Sequence, residues 1–265
     1  ADVFISGEVN VGVIRTYKKC NIAFHVPAYL SGRPEGESGI GDEASGLSLA
    51  YPKAVEKKDG AFRWYEQSTH TDYSFGIVTM ETDGAIFYAL VTTDDDRDYI
   101  VYGKNLLKKA ADLGCENLFA IHKKEWWDYL HLSSVKTGNE LIDNTYIKSW
   151  YLFKCCSVKG GYPMPLQGVW TADNDCLPPW KGDYHHDTNT ELSYQSYLKA
   201  NRVECGEAFI DYLWKLKPVY EKFAADFYGV DGLIIPSCST LDGKAMGGWA
   251  QYSLSPTMTI WAAQS

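Results

Sequence analysis

The hydrophobic pattern changes period once along the chain, and that change limits the folds open to it. Up to Gly103 the apolar residues come in short runs: "VNVGVIRTY", "CNIAFH", "AFRWYEQ", "YSFGIVTM", "AIFYALVTT" and "YIVY". The runs are rich in β-branched and aromatic residues and are bounded by Gly, Asp, Asn and Pro, the pattern of half-buried strands. Asp83-Gly84 between two of them signals a hairpin, because both residues tolerate the positive φ of a tight turn. The Gly-, Glu- and Ser-rich stretch 31–45 reads as a long loop.

After Gly103 the period becomes helical. "KNLLKKAADLG" stops at a glycine, and "ENLFAIHKKEWWDYLHL" sets Leu118, Ile121, His122, Trp126, Tyr129 and Leu130 near helical spacing. "NELIDNTYIKSWYLFKCCS" puts Ile142, Tyr146, Trp150 and Phe153 on one face. A long loop with Pro163, Pro165, Pro178 and Pro179 follows, then a helix over 190–201. The longest stripe is Phe209, Tyr212, Leu213, Leu216, Tyr220, Phe223 and Phe227; Pro218 interrupts it and predicts a kink or two consecutive helices. Ser255-Pro256 opens a last helix. The predicted class is α+β: an antiparallel β-sandwich-like domain over 1–103, a helical linker over 104–137 and a helical domain over 138–265.

A length of 265 residues suits about two domains of roughly 150 residues. The net charge of −9, without a Lys/Arg cluster, argues against a nucleic-acid partner. No apolar run approaches the ~20 residues of a membrane-spanning helix, so no membrane partner is expected. The seven cysteines, Cys20, Cys115, Cys155, Cys156, Cys176, Cys205 and Cys238, are odd in number and form no CxxC pair. That points to reduced thiols in a cytoplasmic compartment, with secretion the alternative if Ala1 is a processed start. No cofactor is expected.

Rings make up 14% of the residues, enough for a large aromatic core or for a sugar site in which a pyranose C–H face stacks on Trp or Tyr. The densest segment, 163–202, gathers Gln167, Trp170, Trp180, Tyr184, His185, His186, Asp187, Asn189, Glu191 and Tyr194. Flat rings interleaved with amides and carboxylates are what saccharide hydroxyls and apolar faces require together. Each residue also has a plainer role. Asp187 or Asn189 can cap the following helix, Glu191 can complement its dipole, and Trp170 and Trp180 can pin the loop as core. No metal site is expected at His185-His186, since adjacent imidazoles on a loop chelate one ion poorly.

Within this segment stand Leu166-Gln167-Gly168-Val169-Trp170, Pro178-Pro179-Trp180 and Gly182-Asp183-Tyr184-His185-His186-Asp187-Thr188-Asn189-Thr190-Glu191. This order resembles glycoside hydrolase family 95, the inverting α-L-fucosidases, and "LDGKAMGGWAQYSLSPTMTIWAAQ" downstream is similar too. The resemblance implies the first helices of an (α/α)₆ barrel, incomplete here, behind a β-domain. It implies an exo-acting glycosidase in which an Asn-x-Asn pair, helped by a later Asp, activates the water and a later Glu is the general acid. The pair aligns with Asp187 and Asn189, so the first amide is a carboxylate in this chain. A carboxylate accepts the water's proton itself, which makes Asp187 the candidate general base and Asn189 the group that orients water or a hydroxyl. Gln167, Trp170, Trp180, Tyr184, His185, His186 and Glu191 are the candidate substrate-binding residues. A second departure is Gln195, where the family usually has Trp.

The resemblance further implies that the general acid lies beyond Ser265. The chain is then expected to be an N-terminal piece, inactive alone, whose partners are a glycan and the remainder of the same enzyme. Alternatives are an L-galactosidase or glycoside phosphorylase on the same architecture, or a non-catalytic carbohydrate-binding module.

Overall fold

The computed structural model describes residues 1–18, 20–24, 52–69, 72–169, 182–246 and 253–264. They fall into two compact units that divide between Tyr129 and Leu130.

The first unit is built on six strands: β1 (Asp2–Ser6), β2 (Val11–Arg15), β3 (Val55–Asp59), β4 (Phe62–Ser68), β5 (Ser74–Thr82) and β6 (Ala85–Thr92). All pairs are antiparallel, in the order β1-β2-β6-β5-β4-β3. The Asp83-Gly84 signal becomes the two-residue turn between β5 and β6: Thr82 pairs with Ala85, and Gly84 takes φ +79°. Helices α1 (Tyr99–Leu113) and α2 (Cys115–Leu130) follow. Val13, Val78, Phe87, Ala89 and Val91 of the sheet share a core with Leu107 and Ala110 of α1 and Leu118 of α2. Each of the large side chains among them contributes roughly 1.5–3 kcal/mol on leaving water.

This unit differs from the sequence expectation at four points. Among the described residues it is one sheet with helices in its core, so the sandwich is not seen; alternation along a strand marks a buried face without saying what covers it. "YIVY" is the opening turn of α1, because Gly103, Leu107 and Ala110 continue it as a buried helical stripe. Residues 20–24, the described part of "CNIAFH", form no strand. The stretch 104–137, expected as a linker, supplies core residues of the first unit up to the break after Tyr129.

The second unit holds α3 (Glu140–Cys156), β7 (Tyr184–His185), α4 (Asn189–Tyr194), α5 (Val203–Lys215), α6 (Lys217–Phe223), a π-helical turn (Ala224–Tyr228), β8 (Cys238–Ser239) and α7 (Met258–Ala262). Asn139 caps α3, its side chain accepting from the N–H groups of Leu141 (3.0 Å) and Ile142 (3.4 Å). Pro218 sits in the first turn of α6, so the long apolar stripe is two helices meeting at Leu216. The helix foreseen over 190–201 stops at Tyr194. The core of this unit is aromatic: Trp150 meets Phe153 edge-on at 5.4 Å, Phe153 meets Tyr194 at 5.2 Å, and Tyr194 stacks on Phe209 at 4.9 Å. The six cysteines among the described residues form no disulfide with one another. None of the described helices is long and apolar enough to cross a membrane.

Candidate active site

The site segment is held by a short antiparallel pairing. In the β7–β8 ladder Tyr184 opposes Ser239 and His185 opposes Cys238, and the His186 N–H extends it to the Ser237 carbonyl at 2.6 Å. Successive side chains on a strand alternate sides, and the two histidines obey this rule. His186 lies with Tyr184, their rings parallel at 6.0 Å, and stacks on Phe209 at 6.0 Å. His185 goes with Asp183 instead, its Nε2 3.0 Å from the Asp183 carboxylate. The adjacent imidazoles therefore share no common ligand position.

Four of the candidate residues lie in the interior. Tyr184 is buried, donates its hydroxyl to the Pro163 carbonyl at 2.8 Å and packs on Tyr212 at 4.9 Å. Burial pushes both phenols well above their ordinary pKa. His186 is fully buried, with Nδ1 3.6 Å from the buried Glu191 carboxylate. Glu191 is thus placed against an imidazole inside the unit, away from the surface where a dipole-complementing carboxylate would sit. His185 is buried as well. Burial opposes its charge, but the hydrogen bonds to Asp183 and Cys238 outweigh that and raise its pKa to about 10.

Asp187, Asn189 and Gln167 are nearer to solvent. Gln167 and Asn189 are exposed, Asn189 as the first residue of α4. The Asp187 side chain keeps 24% of its exposure, while its Oδ1 is buried without a hydrogen-bond partner among the described residues. That oxygen is 3.8 Å from His185 Nδ1. The carboxylate caps no helix: the residue before α4 is Thr188, which makes no side-chain capping bond. Thr190 is committed elsewhere, donating its hydroxyl to the His185 carbonyl at 2.8 Å and so tying α4 to β7. Trp170 and Trp180 lie outside the described residues.

The sequence reading gave no role to Asp183 or Cys238. The first carried a signal, since it stands two residues before His185 and so shares its side of a strand. Cys238 carried none, because a cross-strand partner so far along the chain leaves no local pattern. A cavity of about 660 Å³ opens on the first unit, lined among others by Arg15, Asp83 and Glu116. There Glu116 is already engaged by Arg15 at 2.8 Å, whereas Asp187 has an oxygen without a hydrogen-bond partner among the described residues.

A family model described as the glycosyl hydrolase family 95 catalytic domain matches residues 116–265. No curated protein matches the chain. With more than half of its length so matched, the chain belongs to glycosyl hydrolase family 95, a family of glycoside hydrolases, which act on glycans.

Proposed function

We propose that this chain carries the water-activating side of an exo-acting, inverting glycosidase of α-L-fucosidase type, built on the first helices of an (α/α)₆ barrel. The observation that carries the reading is the state of Asp187. Its carboxylate is partly open to solvent, makes no capping bond among the described residues and has one buried oxygen without a hydrogen-bond partner there. A group in that condition can accept a proton from a bound water. His185 Nδ1 lies 3.8 Å from that oxygen.

The chemistry runs as a single displacement. Asp187 takes a proton from water as the water oxygen attacks the anomeric carbon from the face opposite the leaving group. A carboxylic acid about 6.5–9.5 Å away protonates the departing oxygen. Asn189, exposed two residues further on, orients the water or a sugar hydroxyl. Gln167 offers a second exposed amide. Tyr184, His186 and Glu191 support the segment from inside, and Trp170 and Trp180 are the stacking platforms of the reading.

The test is made on the enzyme that carries this chain. Asp187→Ala is expected to lower kcat by about 10²–10⁴-fold with the far-ultraviolet circular dichroism unchanged. Proton NMR of the first product is expected to show the inverted anomer. Activity that survives the substitution, or a retained anomer, overturns the assignment.

A further inference from the structure

The β7–β8 ladder brings together three ligating side chains to which the glycosidase reading gives no chemical step. Asp183 stands two residues before His185, just ahead of β7, and Cys238 is the direct cross-strand partner of His185. All three are buried, and their ligating atoms lie within 4.8 Å of one another. We infer that Asp183, His185 and Cys238 form a binding site for a zinc-class divalent metal ion that staples β7 to β8.

The donor set fits such an ion. Thiolate, imidazole and carboxylate are the ligands a borderline-soft d¹⁰ cation takes, at about 2.3 Å for sulfur and about 2.0–2.2 Å for nitrogen and oxygen. Tetrahedral donors at those lengths stand about 3.3–3.7 Å apart, so each pair closes by at most about 1.5 Å onto one ion. The fourth position has a candidate on the same residue. Asp183 is 3% exposed, and while its Oδ2 meets His185, its Oδ1 is buried without a hydrogen-bond partner among the described residues. A bidentate Asp183 fills the shell and satisfies that orphaned oxygen.

Charge points the same way. A divalent ion, one thiolate and one carboxylate sum to zero, the state best tolerated in a buried place. Binding displaces the Cys238 thiol proton and the proton on His185 Nε2 to solvent. Cys238 is 1% exposed, which removes it as a nucleophile toward substrate but suits a ligand. The site does not depend on the role of Asp187 in catalysis, and either can fail alone.

The test is a titration of the demetallated chain with Co²⁺ under reducing, anaerobic conditions. One equivalent is expected to bind and to give near-ultraviolet thiolate-to-cobalt charge transfer with tetrahedral visible bands, both abolished by one equivalent of Zn²⁺. Cys238→Ser is expected to remove the charge-transfer band and weaken Zn²⁺ binding by at least about 100-fold. Cys155→Ser, at an exposed cysteine, is expected to leave both unchanged. Should Cys238→Ser fail to fold, zinc-edge X-ray absorption of the unsubstituted chain still decides, with one sulfur and three nitrogen or oxygen neighbours expected. Absence of charge transfer in the unsubstituted chain, its persistence in Cys238→Ser, or a shell without sulfur overturns the site.

Discussion

Tyr194 shows how much one side chain of the second unit decides. It is fully buried, and its hydroxyl accepts from the Met164 N–H at 2.8 Å and meets the Ser157 hydroxyl at 2.6 Å. Burial pushes its pKa up to about 12, so it is a neutral phenol in any working buffer. Through Met164 it fixes the start of the loop that leads to β7. Tyr194→Phe keeps the stacking on Phe209 but strands a part-buried N–H, and is expected to cost about 1–3 kcal/mol in urea unfolding. A loss below about 0.5 kcal/mol would mean that water replaces the hydroxyl. The aromatic residues of 163–202 were legible as a group, since their spacing marks the segment. Which of them turn inward was not. His185 and His186 look alike in sequence, and only the strand alternation separates a residue beside Asp183 from one stacked on Phe209.

Among elements, α1 illustrates two opposed effects at one position. Glycine inside a helix is worth about 1 kcal/mol less than alanine. At Gly103, however, a methyl group would meet Val78 Cγ2 at 2.9 Å and Val91 Cγ1 at 3.2 Å. Those atoms belong to fully buried, β-branched side chains that cannot turn away. Overpacking costs about 1–3 kcal/mol, so Gly103→Ala is expected to destabilise the first unit by up to about 2 kcal/mol despite the better helix former. A rise in the urea midpoint would show that α1 can move off the sheet. Gly206 in α5 repeats the case, where a Cβ would fall 2.2 Å from the Tyr197 ring. The same glycine explains why "YIVY" read as a strand: its β-branched residues carry the local propensity, and the close approach that makes the segment helical is a tertiary fact. Elements bounded by local chemistry, such as the Asp83-Gly84 hairpin and the break at Pro218, were readable directly. The β7–β8 ladder was not, since a two-residue pairing has no period.

Over the whole molecule, the change of period separated a strand-built part from a helical one, and the family motif identified the second. The single sheet with helices in its core was out of reach, because alternation along β4, β5 and β6 is the same whether a helix or a second sheet lies over it. In a screen of aryl glycosides on the enzyme that carries this chain, the α-L-fucoside is expected to turn over fastest. A preference for an α-L-galactoside would keep the mechanism and change the sugar. The role of Asp187 itself is tested most directly by rescue. In the Asp187→Ala enzyme, azide needs no general base, and it is expected to restore turnover in a concentration-dependent way and to yield a glycosyl azide of inverted configuration. No rescue in a folded variant that still binds substrate, or a product of retained configuration, contradicts the account.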